Sequence, residues 1–461
     1  MPLIRPLLLS IPILVVSCES WRFDAPVGDL AIRTPGTWQA ASTGSEGKIS
    51  TGWVASFQSE DLTRVVNEAL VENRSLKAAA ARLREVKESS IQARARQLPT
   101  VRVGGDGALT RTENSDDPNR QIYALSLAAS WEPDLWGRLR NLTRAAEADE
   151  LAAIEDFRAA RLSLAANTAK AWFNLISAEQ EIKLAAVTLE SFERNFRVIE
   201  RRFKSEGEGA LDVLFARNNI SSAKRAVESR TLERDNAARA LELLLGRYPE
   251  GLSRGGNQLP DLPASIPAGI PANLVERRPD LAASRARLLA SAERADASRK
   301  NLLPAISITG RSGTSNAGLA NLLSIDSLTS SIAAGFTQIL TSGGALSAEA
   351  RAALARNDAL LNNYAQTALE AFREVEATLA ADASLARQET ILADELRQAI
   401  LAERQAEREY SEGVNPNTLS LLEAQRRANN ARASMIRLQN QRLQNRIDLH
   451  LALGGDFQTQ P

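Results

Sequence analysis

Two side chains stand alone in their type in this sequence, Cys18 and His450. A single cysteine cannot close a disulfide within the chain, and it rules out a cysteine cluster for metal or redox chemistry. His450 falls late in a helical run, where a lone histidine is usually a surface or packing residue. No nucleophile–base set, metal cluster or phosphate loop accompanies it. Gly104-Gly105 and Gly343-Gly344 fall in a strand and at a junction, weak settings for phosphate. What remains is the chemistry of Cys18. Met1–Ser17 reads as a secretory signal, with Arg5, an apolar stretch and then small residues, ending Leu14-Val15-Val16-Ser17-Cys18. A thiol at that cut is a candidate for acylation; the alternative is an ordinary signal peptide with a cysteine beside it by chance.

No enzyme constellation being visible, the elements carry the reading. Acidic and basic side chains balance at 56 each, so nothing points to nucleic acid. Aromatics are few, while Ala, Arg, Leu and Glu are frequent, which suits long helices. The part after the signal has no apolar run long enough for a membrane-spanning helix. Glu19–Glu60 is rich in Gly, Ser and Thr and has little periodicity, so an extended arm is expected there. From Leu62 the apolar residues follow helical spacing to about Gln97, and Pro99 ends the run.

The period then changes to two. Val101, Val103, Gly105, Gly107 and Leu109 share one face of a strand at 100–111, with Arg102, Asp106 and Thr110 opposite. In a second strand at 121–132, Tyr123, Leu125, Leu127, Ala129 and Trp131 form the apolar face, with Ser126, Ser130 and Glu132 opposite. Each strand is near the length that crosses a bilayer when tilted, and Tyr123 and Trp131 suit interfacial aromatics. A soluble hairpin packed on helices would alternate in the same way.

A proline-free run follows, Arg138–Lys204, long enough for a helix of roughly 100 Å. Its far end carries a heptad seam of Ile182, Ala185, Leu189, Phe192, Phe196, Ile199 and Phe203. A turn at Ser205–Ala210 contains Gly207 and Gly209. Leu211–Gly246 then returns, with Leu211, Leu214, Leu241 and Leu244 available to pack on the outgoing helix.

The whole unit is then written again. Leu98-Pro99-Thr100-Val101-Arg102-Val103 matches Leu303-Pro304-Ala305-Ile306-Ser307-Ile308, and Leu76, Leu83 and Trp131 match Leu281, Leu288 and Phe336 at the same spacing. The second copy has a helix over about 273–302, strands at about 305–312 and 327–339, a long helix from Ala345 to about Tyr410, a turn with Gly413, and a return over Thr418–Leu453. Its distal seam, Leu396, Ala399 and Ala406, is interrupted by Glu403. The sequence therefore divides into a signal (1–17), an arm (18–60), a first repeat (61–247), a Pro/Gly linker (248–272), a second repeat (273–455) and a tail (456–461).

Four strands cannot close a barrel, and an open edge in lipid leaves backbone groups unpaired. The barrel must be shared: two chains would give eight strands with a filled interior, three would give twelve and a wider bore. Arg102, Asp106, Glu132 and Arg311, on the polar faces, suit a water-filled lumen.

The linker end Ile266–Leu281, IPAGIPANLVERRPDL, resembles the signature of the TolC-like outer membrane factors, in particular the lipoprotein branch that serves tripartite efflux pumps. Trp131–Arg138 (WEPDLWGR) is similar to that family's strand-to-helix junction, Ala371–Glu376 (AFREVE) to a motif of its second long helix, and Leu421–Arg426 (LLEAQR) to the start of its last helix. The resemblance runs from about Asp61 to Gly455. It implies a mixed α/β, mostly α fold: a homotrimer with a 12-stranded β-barrel in the outer membrane of a Gram-negative bacterium, continued by a periplasmic coiled-coil tunnel. It implies a passive exit duct for small molecules, with a periplasmic adaptor and an inner-membrane transporter as partners and no cofactor beyond a covalent lipid on Cys18. Glu19 in place of aspartate allows outer-membrane sorting. Gly207, Gly209 and Gly413 would lie at the tip that docks the adaptor, and Glu412, Val414 and Asn415 would line the gate; relatives often carry aspartate where Asn415 stands. A protein-secretion duct and a non-pore, lipid-anchored coiled-coil scaffold remain the alternatives.

Overall fold

The computed structural model describes residues 36–40, 52–111, 119–206, 209–256, 258–263, 266, 274–322, 324–412, 414 and 417–455. The first half contains α1 (Trp53–Ser56), α2 (Glu60–Glu72), α3 (Arg74–Ala95), β1 (Thr100–Arg111), β2 (Asn119–Trp131), α4 (Arg138–Glu206) and α5 (Ala210–Leu244). The second contains α6 (Leu274–Arg277), α7 (Pro279–Lys300), β3 (Ala305–Asn316), β4 (Leu328–Thr337), α8 (Ala345–Glu412) and α9 (Thr418–Ala452). Among the described residues, no helix is long and apolar enough to cross a membrane.

The helix expected from Leu62 to Gln97 is two helices, parted at Asn73. That residue ends α2 with ψ near 125° and caps α3, its side-chain oxygen accepting from Leu76 N at 2.9 Å. Its amide nitrogen donates to Leu244 O at the end of α5, at 2.9 Å. The break therefore ties the start of α3 to the close of the returning helix. The second half repeats the arrangement: Arg278 is the N-cap of α7, Pro279 opens the first turn, and Arg278 Nη1 donates to Ala452 O at the end of α9, at 3.3 Å.

All four strands join one antiparallel sheet in the order β1-β2-β3-β4. β3 reaches Asn316, past the expected Ser312, because its added residues still find partners on β2 as far as Tyr123. β4 is shorter than expected, ending at Thr337. Both outer edges of the sheet, β1 and β4, lack a neighbouring strand among the described residues of the chain.

The long helices pair as two hairpins, α4 with α5 and α8 with α9, and α4 also lies against α3, α7 and α9. At 69 and 68 residues, α4 and α8 each extend about 100 Å. Midway along them a core forms from Trp53, Phe57, Leu62, Phe173, Leu175, Ile176, Leu241 and Ile447. The arm is thus not featureless to residue 60: α1 delivers Trp53 and Val54 into this core. Farther back, Trp38 packs on Phe372, and the amides of Gln39 and Ala40 donate to the Glu376 carboxylate at 2.8 Å each.

Two expectations about the seams need correction. Leu211 and Leu214 do not pack on α4; they are 60% and 61% exposed, and Val213 and Ala216 turn inward instead. Helical rotation places the latter pair on the α4 side, so the leucines face away from it. Glu403 does not interrupt the second seam as a solvated charge. It is buried and paired with Arg432 of α9, Nη1 to Oε1 at 3.2 Å and Nη2 to Oε2 at 2.5 Å.

Candidate functional site

The sheet presents two chemically different faces. Its pairing puts Val101, Ala129, Gly310 and Ile332 in one row, and Trp131, Ile308 and Ala334 in another. Those side chains share the apolar face, with Val103, Leu125, Leu127, Leu328 and Phe336. The opposite face carries Arg102, Asp106, Ser126, Ser130, Thr309 and Arg311 by the same alternation. At strand lengths of 10 to 13 residues, each strand matches what a tilted crossing of a bilayer needs. The indole nitrogens sit at the lower boundary: Trp131 Nε1 donates to Gln97 O at 2.9 Å and Trp136 Nε1 to Pro304 O at 2.7 Å. Polar tips on apolar rings at that level are what an interface favours.

Below the sheet, the junction 131–138 is held by its own carboxylates. Asp134 accepts from Leu139 N at 3.0 Å and Arg140 N at 2.8 Å, which caps the start of α4. Glu132 accepts from Arg138 Nη2 at 2.6 Å. Gly137 takes φ +76°, a conformation that favours glycine.

The linker end and the α8 motif meet. Arg278 donates to both carboxylate oxygens of Asp280, at 3.0 and 2.7 Å, and to Glu374 Oε2 at 2.8 Å. Burial alone would lower the arginine pKa; the bonds to Asp280 and Glu374 more than offset it, so it rises. Burial likewise works to raise the Asp280 carboxyl, but Arg278 holds it below its ordinary value. Within the same motif, Ala371 and Val375 are buried and Glu376 receives the arm. The sequence showed each motif separately; their contact spans 96 residues and has no local signal.

At the far end of the long helices, all four come together. Ile199 of α4, Val213 and Ala216 of α5, Tyr410 of α8 and Leu421 of α9 form one buried cluster. Arg202 Nη2 donates to Tyr410 O at 2.7 Å, and its guanidinium lies 4.7 Å from the Tyr410 ring centroid. This contact joins the first hairpin to the second, and the sequence reading did not find it. Behind it, buried Gln425 donates to Glu407 Oε1 at 3.0 Å and to Ser191 Oγ at 3.4 Å.

Of the residues expected at the tip, Glu412 is the exposed last residue of α8. Val414 is 74% exposed, and its N–H donates to Glu409 O at 3.1 Å, closing the end of α8. Gly209 caps α5 at φ +67°, where a Cβ would strike the Asp212 carboxylate. Cys18, Gly207, Gly413 and Asn415 lie outside the described residues. No group of His, Cys, Asp and Glu among the described residues could hold a metal ion. His450 is a packing residue, stacked on Trp53 with ring centroids 5.9 Å apart.

Comparison with known proteins accords with this geometry. The family model described as outer membrane efflux protein matches residues 65–247 and 270–455. Outer membrane protein OprJ of Pseudomonas aeruginosa is 32% identical over 443 residues, covering 94% of this chain and 91% of that one. Cation efflux system protein CusC of Escherichia coli is 28% identical, covering 88% of each. The crystal structure of the Campylobacter jejuni CmeC outer membrane channel superposes with a TM-score of 0.86 at 25% identity, covering 91% of both chains.

Proposed function

This chain belongs to the outer membrane efflux protein family; it is an outer membrane efflux channel and not an enzyme, and we propose that it works as the passive exit duct for small molecules handed on by a periplasmic adaptor and an inner-membrane transporter. The observation that carries this is the pairing of an open four-stranded sheet of bilayer length with helices of about 100 Å. Three copies close the sheet into twelve strands, β4 of one chain against β1 of the next. The helical hairpins then continue the bore away from the membrane.

In this reading the lipid on Cys18 and the arm docked through Trp38 hold the chain to the membrane and to its own body. The adaptor engages the helical tip around Gly207, Gly209 and Gly413, where Leu211, Leu214 and Leu419 are exposed. Glu412, Val414 and Asn415 line the constriction. Energy comes from the transporter, which also makes the first selection of cargo.

The Arg202–Tyr410 contact is the clasp that splaying of the hairpins must break. Arg202→Ala removes a charged hydrogen bond and a cation–π contact worth together about 1–2 kcal/mol. Single-channel recordings should then show an open probability higher by about 5–30-fold. An unchanged open probability would show that the contact does not hold the tip.

The function itself is tested with a deletion strain challenged with dyes, detergents, antibiotics and metal salts and complemented with the wild-type gene. Restored resistance to any of these compounds supports the efflux duct. Full resistance in the deletion strain, with a protein missing from its medium, would move the chain to protein secretion.

A further inference from the structure

The polar face of the sheet holds a second feature. In the strand register, Arg102 of β1 is opposite Ala128 of β2, and Ala128 is opposite Arg311 of β3. The two arginines therefore lie in the same transverse row, on the same face, two strands and about 10 Å apart. Between them stands a methyl group. The next position of that row is Ser331, and the rows on that face to either side hold Gly104, Ser126, Gly313 and Thr329, and Thr100, Ser130, Thr309 and Ala333. Nothing in this neighbourhood is large enough to cover a guanidinium, and both arginines are exposed.

The charge on this face is not balanced. Neither Arg102 nor Arg311 forms an ion pair among the described residues. Glu132, the carboxylate at the lower end of the same face, is taken up by Arg138 at 2.6 Å. Asp106 stands four residues farther along β1, about 14 Å away at strand rise. Arg120, opposite Thr110 at the upper end, adds another positive charge to the same face. Among the described residues of this face, three arginines thus meet one unpaired carboxylate in each chain.

Resting on the trimeric channel reading above, we infer that Arg102 and Arg311 of the three copies form a belt of six guanidinium groups inside the barrel, which makes this bore selective for anionic solutes and anionic cargo. The charges follow one another at about the Debye length of physiological salt, so their fields overlap instead of being screened apart. The wall behind them is of low dielectric, which focuses that field into the lumen. Rings of Arg or Lys are the means by which pores favour anions and phosphates. The guanidinium fork also offers bidentate bonding to carboxylate or phosphate. The belt belongs to the membrane-spanning part, at the opposite end of the bore from the constriction at the helical tip. A passing solute meets the two in series.

The test is made on the purified trimer in planar bilayers under a KCl gradient. The wild type should show a chloride-to-potassium permeability ratio above one, and the double variant R102Q/R311Q should lower it by at least about threefold. R102K/R311K, which keeps the charges, should stay near the wild type, and D106N should raise the ratio. A ratio unchanged in R102Q/R311Q overturns the belt. The wild type alone gives a second reading, independent of how the variants assemble. Inositol hexakisphosphate added from the barrel side should block current at a concentration at least about tenfold below that of spermine, a polycation of similar reach. The reverse order of block also overturns the belt. A purified wild-type trimer that carries no current at all would instead overturn the channel reading on which the belt rests.

Discussion

Acidification from pH 6.5 to 4 will destabilise the wild-type protein by about 3 kcal/mol per chain more than it destabilises His450→Leu. His450 is 3% exposed, and neither ring nitrogen has a hydrogen-bond partner among the described residues. Burial, with the Arg446 charge adding to it, pushes its pKa from 6.5 down to about 4. The ring therefore stays neutral in the folded chain from pH 6.5 down to about 4, while the unfolded chain takes up a proton. Above pH 6.5 neither state is protonated and the full stability is present. As pH falls from 6.5 toward 4, the unfolded state binds the proton and the folded state does not, so stability drains through that window. Below about 4 both are protonated and this contribution no longer changes. Leucine fills a similar volume against Trp53 and cannot titrate. Thermal unfolding measured across this range should give a steep decline for the wild type and a shallower one for the variant. Parallel curves would mean that the imidazole is hydrated or paired after all.

The second large effect is at the linker. Arg278→Ala should cost about 2–3 kcal/mol of folding stability. The variant strips Asp280 and Glu374 of their shared cation and leaves Ala452 O without its donor. Full burial of the orphaned carboxylates would cost more, but their side chains keep 40% and 44% of their exposure, so water relieves part of the loss. Arg278→Lys should recover less than half of it, because a point ammonium cannot serve Asp280 bidentately while reaching Glu374 and the carbonyl. Urea unfolding of the variants measures both values. A loss under about 0.5 kcal/mol for the alanine variant would reduce the cluster to a surface ion pair.

These two residues mark what could be read from sequence and what could not. The strands were legible because residues on alternate positions of 100–111 differ in chemistry, and that difference is local. The turns were legible because Gly209 needs a left-handed backbone. The long helices were legible because nothing in Arg138–Lys204 interrupts them. The break at Asn73 was not, since asparagine in a polar helical stretch is unremarkable until Leu244 supplies a carbonyl from 171 residues away. The same holds for Arg202 and Tyr410, which are 208 residues apart, and for Glu403, whose partner Arg432 is on another helix. The burial of Trp53 had no local signal, because a one-turn helix carries too little periodicity to be read. Periodicity reports which face is buried, not what buries it.

The length of α4 and α8 makes them levers. From Glu374 to Tyr410 α8 rises about 54 Å, so a turn of one degree about Glu374 moves the Tyr410 end by about 0.9 Å. The hub of Arg278, Asp280 and Glu374 and the strap formed by Trp38, Gln39 and Ala40 both bear on the middle of α8, and the clasp of Arg202 on Tyr410 sits at its end. A tilt small enough to keep every contact at the fulcrum within its normal tolerance can therefore carry the clasp beyond bonding distance. The mechanical advantage runs one way: the end travels far for little strain at the pivot. A partner gripping the end needs only a weak force to turn the whole rod.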